Sequence, residues 1–202
     1  MTSLLLATRN AHKTRELAAL LGPEFSVSDL TALPQIAAIE ETGKTFAENA
    51  TLKAVAASRI VSGLVAADDS GLEVDSLGGA PGVYSARYAG DGASDETNVA
   101  KLLRALHDTD ERAAQFHCVL VLAHDGDAIT LFDGVVRGQI ARSPAGNNGF
   151  GYDPVFVPDG FTDTFAALGD AMKNQISHRA RAAAQLRDHL LGNKKGGEDR
   201  RP

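Results

Sequence analysis

Apolar residues along this chain fall into short unbroken runs separated by stretches of helical period, an alternation that predicts an α/β protein. Residues 3–8 read as a buried strand. The polar segment Arg9-Asn10-Ala11-His12-Lys13 leads from it into a helix through about Leu21, with Leu17, Leu20 and Leu21 on one stripe, Asn10 as N-cap and Gly22-Pro23 as the stop. Residues 25–27 predict a short strand, and 33–39 an irregular segment that delivers the chain to Glu40-Glu41-Thr42-Gly43. A second helix starts at Thr45, where Thr45 and Glu48 have capping-box spacing and Phe46, Ala50, Ala54, Ala57 and Val61 share a face. The run 64–67 predicts a buried strand ending at Asp68-Asp69-Ser70-Gly71, with a separate short strand at 72–74. A helix at 95–107 carries Val99, Leu102, Leu103 and Leu106 on one side. Segments 115–123 and 128–137 read as a hairpin, 155–157 as a short strand, and a last helix is capped by Ser177 and stopped by Gly192. The hairpin adds antiparallel pairing to a parallel βα pattern, so the sheet should be mixed.

Composition narrows this picture. The 202 residues suffice for one sizeable core, and 44% hydrophobic with 23% charged residues is ordinary for a globular chain. A net charge of −6 argues against nonspecific nucleic-acid binding, which needs a basic stripe, yet leaves room for a single nucleotide held by a few cations. Cys118 is the sole cysteine, so no intrachain disulfide forms, and its place in an apolar run makes packing its expected role. The N-terminus lacks the parts of a signal peptide and no run reaches membrane-spanning length, so a cytoplasmic protein without a membrane partner is expected. A single domain over 1–192 and a charged, disordered tail over 193–202 complete the expected organisation.

Candidate chemistry gathers at a few places. Two carboxylates at a strand's end can approach one cleft, and they repel unless a proton or a cation sits between them; as plain chemistry, Asp68-Asp69-Ser70-Gly71 could equally be a solvated turn. Arg9 and Lys13 put positive charge at a helix start, which suits an anion. Gly43-Lys44-Thr45 resembles the end of a P-loop, but Ala38 stands where that loop needs glycine. Two segments rich in glycine and proline, 77–88 and 143–154, interrupt the regular pattern; in the second, Phe150 or Tyr152 offers a face for base stacking. Lys173, His178 and Arg179 cluster near the start of the last helix. Two acidic pairs, basic groups in three places and two glycine-rich loops form an inventory for a divalent cation with a phosphorylated ligand. Magnesium fits best, since no thiolate or imidazole set for zinc is present.

In Thr8 to Lys13, Glu40-Glu41-Thr42-Gly43 with Thr45-Phe46-Ala47-Glu48-Asn49-Ala50, Asp68-Asp69-Ser70-Gly71-Leu72, Gly78-Gly79-Ala80-Pro81-Gly82, Gly149-Phe150-Gly151-Tyr152-Asp153-Pro154 and Ser177-His178-Arg179, the chain resembles the inosine triphosphate pyrophosphatase family, also called XTP/dITP diphosphatases. The resemblance implies a long mixed sheet flanked by helices, two lobes with a central cleft, and a homodimer. It implies magnesium-dependent hydrolysis of ITP, dITP and XTP to the monophosphate and pyrophosphate, which removes deaminated purines from the nucleotide pool. By the same resemblance Asp69 is the general base, and Glu40, Asp68 and Asp69 hold Mg2+. Thr8, Arg9, Asn10, Ala11, His12 and Lys13 bind the triphosphate, while Ser70, Phe150, Gly151, Tyr152, Asp153, Lys173, His178 and Arg179 line the nucleotide site. Arg9, Asn148, Ala167 and Met172 depart from the family's pattern. A nucleotide sensor without turnover and an aspartyl phosphomonoesterase are the competing readings of the same residues.

Overall fold

Strand β1 (Thr2–Leu6) pairs in parallel with β2 (Phe25–Asp29) on one side and with β3 (Leu64–Val74) on the other. These contacts are made possible by two crossover helices, α1 (Ala11–Leu21) between β1 and β2 and α2 (Phe46–Ser58) between β2 and β3. Beyond β3 the sheet turns antiparallel: β4 (Ala113–His124) pairs with β3, β5 (Asp127–Ile140) with β4, and the short β6 (Phe156–Pro158) with β5. The result is one six-stranded mixed sheet of order β2-β1-β3-β4-β5-β6. The computed structural model describes residues 1–34, 36–37 and 39–198. Among them no helix is long and apolar enough to cross a membrane.

The β4–β5 hairpin closes through Asp125 and Gly126, both at positive φ (50° and 88°), the conformation that a tight Asp-Gly turn requires. Its strands run further than the apolar pattern indicated, out to Ala113 and Ile140, and Ala114 and Ile140 are buried near that end of the ladder. Helix α3 (Asp95–Ala105) starts at the cap Ser94. Helix α4 (Phe165–Ile176), capped by Thr164 and broken at Gly169 (φ 79°), was not expected from the sequence. Helix α5 (His178–Glu198) is capped by Ser177, as expected, but it continues past Gly192, where an added Cβ would meet nothing within 4 Å. Residues 193–198 of the expected 193–202 tail are therefore helical, and 199–202 lie outside the described residues.

Three apolar clusters divide the two faces of the sheet. On one face α1 and α5 cover Leu4, Leu6, Ala66, Leu120 and Leu122, with Leu17, Leu21, Ala183 and Leu186 as their contribution. Also on that face, further along β3, α3 and α4 close over Leu72, Val74, Phe116, Val136 and Phe156. On the opposite face α2 lays Phe46, Ala50, Ala54 and Ala57 against Val65, Ala67, Val119 and Val121. Side chains alternate along a strand. On the α5 face, therefore, the two apolar clusters are separated by a gap at Asp68 and Ser70, and that gap is where the polar site lies.

One correction concerns β3 itself. The Asp68-Asp69-Ser70-Gly71 segment is not a strand end: β3 runs unbroken for 11 residues, and Asp68, Asp69, Ser70 and Gly71 stay in register with Leu120, Val119, Cys118 and His117. Gly71 serves close approach and not a turn. A Cβ there would meet Gly82 O and Ser85 Oγ, each at 2.5 Å, because the short tight helix Gly82–Arg87 crosses over it.

Candidate active site

Strand β1 ends at Leu6, and its pairing with β3 reaches only to Ala66. The chain then leaves through Thr8 into α1. From Leu72 onward the segment 80–85 covers the same edge of β3, with Leu72 N–H donating to Ser85 Oγ (2.9 Å) and Val74 N–H to Ala80 O (3.2 Å). Between these, at Ala67 to Gly71, no strand borders that edge among the described residues. Such a place, past the carboxyl ends of parallel strands, is where α/β sheets open a crevice. Both aspartates sit there, one on each face.

Asp68 faces α1 and α5, and its two oxygens are fully engaged. Oδ1 accepts from Lys13 and from Ser70 Oγ (3.2 Å), and Oδ2 accepts from Arg179 Nε (2.9 Å) and the Cys118 thiol (3.2 Å). Burial by itself would raise its pKa, but the Arg179 guanidinium and the Lys13 ammonium hold the carboxyl well below the usual range. Arg179 is 1% exposed at the first turn of α5, where a helix dipole disfavours a cation. Asp68 and Glu16 offset that cost, since Glu16 accepts from Arg179 Nη1 (2.5 Å) and from Lys173 Nζ (2.8 Å). Lys173 also donates to Asp153 Oδ2 (2.6 Å), whose carboxyl is pushed up by burial despite that lysine.

Asp69 faces α2 instead. Its Oδ1 accepts from Lys53 Nζ at 3.0 Å, and the same ammonium reaches Glu41 Oε1 at 2.6 Å. Arg87 adds a second cation 3.5 Å from Glu41. Asp69 is 6% exposed, and its Oδ2 is buried without a hydrogen-bond partner. Burial raises its pKa, with Lys53 and Lys13 opposing and Glu41 reinforcing the rise. An anion with an open, dehydrated lone pair is a proton acceptor or a cation ligand in waiting.

A cavity of about 130 Å3 lies on the α5 face, lined by Asn10, Lys13, Ser70, Phe150, Gly151, Tyr152, Asp153, Lys173, His178 and Arg179. Gly71, Ser85, Ala86, Asp95 and Phe116 also line it, and none of these was expected from the sequence. Phe150 sits on a loop flanked by Gly149 and Gly151, both at positive φ (76° and 63°). Its ring lies 4.6 Å from Lys173 Nζ, 5.8 Å from the Arg179 guanidinium and 5.3 Å from the His12 ring. The loop is pinned where Gly151 N–H donates to Asp95 Oδ2 (2.7 Å) and Phe150 N–H to Asp153 Oδ2 (2.9 Å). His178 stacks on Phe116 (4.7 Å, 11°) and is 4% exposed with Nδ1 unpartnered. Burial and the nearby charges of Arg179 and Lys173 push its pKa well down, so the ring is neutral.

Other expected site residues play different parts. Arg9 turns away from the cavity and donates to Leu30 O and Ile36 O, fastening the segment after β2. Thr8 Oγ1 accepts from Asn10 N–H, and Asn10 Oδ1 caps α1 by accepting from His12 and Lys13 N–H. Those two N–H groups are thus taken, and the cation at the helix start is the Lys13 side chain. Ala11 opens α1, and His12 is exposed with its Nδ1 3.0 Å from Arg15.

Of Glu40, Asp68 and Asp69, the residues expected to hold one cation, the structure does not bring the two aspartates to the same space. Alternation sends Asp68 and Asp69 to opposite faces, and Asp68 has no oxygen to spare. Glu40 is exposed, and the glutamate joined to Asp69 is Glu41, through Lys53. Among the described residues no group of three or more His, Cys, Asp and Glu side chains forms a metal cage. Asp69 and Glu41 still suit a hard cation of the magnesium type, which takes one or two carboxylates and completes its shell with water and phosphate oxygens. The open Oδ2 of Asp69 is the observation that favours this fit.

Comparison with known proteins agrees with the geometry. The sequence model of the Ham1 family matches residues 4–189. A dITP/XTP pyrophosphatase of Geobacillus kaustophilus is 49% identical over 189 residues, spanning 92% of this chain and 93% of that protein. One of Geobacter sulfurreducens is 49% identical over 193 residues, spanning 94% and 97%. The solved structure of the Staphylococcus aureus Ham1 protein superposes with a TM-score of 0.85 at 43% identity, over 95% of this chain and 100% of that one.

Proposed function

The chain belongs to the Ham1 family, and on that premise we propose that it hydrolyses deaminated purine nucleoside triphosphates, dITP, XTP and ITP, to the monophosphate and pyrophosphate. The observation that carries the chemistry is the unpartnered, buried Oδ2 of Asp69 at the open edge of β3, within the field of Lys13 and Lys53. Asp69 acts as general base: its carboxylate accepts the proton of the water that attacks the α-phosphorus. A bound Mg2+ would be held by Asp69 with Glu41, or with Glu40 from the same segment, and supplies Lewis-acid polarisation of the phosphate oxygens. Lys13 and Lys53 neutralise the charge that builds on departing pyrophosphate. Asp68 keeps Lys13 and Arg179 in place through its four hydrogen bonds.

The purine enters the cavity beside Phe150, and His178 faces its six-membered ring. Inosine and xanthine carry an oxygen at position 6 and adenine an amino group, so a neutral imidazole with an open Nδ1, with Lys173 and Arg179 nearby, discriminates by leaving a buried polar group unpaired against the wrong base. Guanine shares that oxygen, and its rejection belongs to the 2-position. The reading extends to context: a single domain over 1–192 that works as a cytoplasmic homodimer, for which light scattering on the purified protein gives the mass.

Incubation with dITP, XTP, ITP, ATP and GTP plus Mg2+, with the products identified, is the direct test. Monophosphate and pyrophosphate from the first three support the reading. Free phosphate points to a phosphatase, and binding without product to a sensor. Asp69→Asn should lower turnover by about 100- to 10,000-fold, the range for loss of a general base, and wild-type rates in that variant would refute the assignment.

A further inference from the structure

Lys53 projects from α2 toward the sheet and is 8% exposed, although it stands among the apolar residues Ala50, Ala54 and Ala57 on the buried face of that helix. Its ammonium spans the two carboxylates, at 3.0 Å from Asp69 Oδ1 and 2.6 Å from Glu41 Oε1. With Arg87 beside Glu41 the cluster is already neutral: two carboxylates face two cations. A divalent cation added to the same pair, with Lys53 still in place, would set four positive charges against two negative ones at contact distances. Inside a protein that repulsion is far stronger than in water. Lys53 already holds Oδ1 of Asp69 and Oε1 of Glu41, so an ion entering at the open Oδ2 competes with it for the charge of the same pair.

Resting on the hydrolase reading above, we propose that Lys53 is a built-in surrogate cation: it neutralises Asp69 and Glu41 while no divalent ion is bound, and it leaves them for the triphosphate once the ion is present. The side chain suits this exchange. A lysine is a compact charge on a flexible four-carbon stem, whereas α2 under it is rigid and packed against β3. Repulsion in the empty site is thereby relieved, since the buried Asp69 and half-buried Glu41 carboxylates would repel without a counter-ion. Ion and nucleotide then bind cooperatively, because the nucleotide gives the displaced ammonium a new anion to face.

The test is Mn2+ binding to nucleotide-free protein, followed by the electron paramagnetic resonance of the free ion. Lys53→Met should bind Mn2+ at least tenfold more tightly than wild type, while its dITP turnover falls. Lys53→Arg, which keeps the charge, should stay as weak as wild type. No gain of affinity in a folded Lys53→Met protein, whether both bind weakly or both tightly, overturns the proposal; circular dichroism and a thermal melt establish folding, and Lys53→Gln takes its place if the methionine variant fails. Adding Glu41→Gln to Lys53→Met should abolish the gain, and a gain that survives it puts the ion elsewhere and also overturns the proposal. Wild-type conversion of dITP to monophosphate and pyrophosphate is measured alongside. If that conversion occurs without any gain in affinity, Lys53 loses this role and the hydrolase reading stands; if it does not occur, the hydrolase reading itself has failed.

Discussion

Asp68 shows how one buried residue can be indispensable without touching the reaction. It anchors Lys13 from α1 and Arg179 from α5, and the thiol of Cys118 beneath them. Asp68→Asn removes the charge while nearly preserving the shape. It leaves a fully buried guanidinium with Glu16 as its remaining counter-ion and Lys13 without its buried partner, a change that costs about 3–5 kcal/mol. A urea or thermal melt at neutral pH should show it. The carboxyl's folded pKa lies below its unfolded value of about 3.9. The stability Asp68 contributes is therefore complete above that pH and is lost as pH falls from there through the folded value. Wild-type melting temperature should drop steeply below about pH 4, and the asparagine variant should have less to lose over the same window. Glu16 is the residue the sequence hid most completely. On α1, between Lys13 and Leu17, it reads as a solvated helical acid. Its meeting with Lys173 and Arg179 joins positions 157 and 163 residues apart, a separation that no local pattern encodes. Lys53 left a trace, as the one charge inside an apolar helical stripe.

At the scale of elements, helices α1, α2 and α3 and the β4–β5 hairpin were legible because capping residues, periodic apolar faces and an Asp-Gly turn act locally. β3 was not. Asp, Ser and Gly favour turns, and a strand that needs a carboxylate on each face and a glycine under a crossing helix uses the same residues for different reasons. The distinction can be tested at Gly71. A surface glycine at ordinary φ would accept alanine within about 0.5 kcal/mol. Since the added methyl would strike Gly82 O and Ser85 Oγ, Gly71→Ala should destabilise by about 1–3 kcal/mol, the range for overpacking. Gly134 makes a related point for α5. A Cβ there would lie 2.1 Å from His178 O and 2.7 Å from Ala182 N, so the first turn of α5 rests directly on β5. Gly134→Ala should push that turn outward with His178 and Arg179. The expected result is a raised KM for dITP, with a smaller change for any substrate that lacks the purine.

For the whole molecule, the sheet order explains why the site has two sides. β1 stops early, β3 and β4 continue, and the crevice opens on the uncovered length of β3, so the cavity beside Phe150 and the Asp69–Glu41 carboxylate pair lie on opposite faces joined at one edge. A mixed sheet followed from the hairpin. The insertion of β1 between β2 and β3 did not, because strand order depends on which buried faces the crossovers bring together.

That arrangement places the chain's one thiol directly under the site. Cys118 is fully buried, donates to Asp68, and has its pKa driven well up by burial and by that carboxylate, so it is unreactive while the floor is closed. It is a natural clock for opening. Modification by a small disulfide reagent should proceed only as fast as the strands around it part, with one thiol per chain to count. A nucleotide analogue that occupies the cavity above should slow the clock by the factor 1 + [L]/Kd, which turns a plain colorimetric reaction into a measure of both the stability of the floor and the affinity of what rests on it.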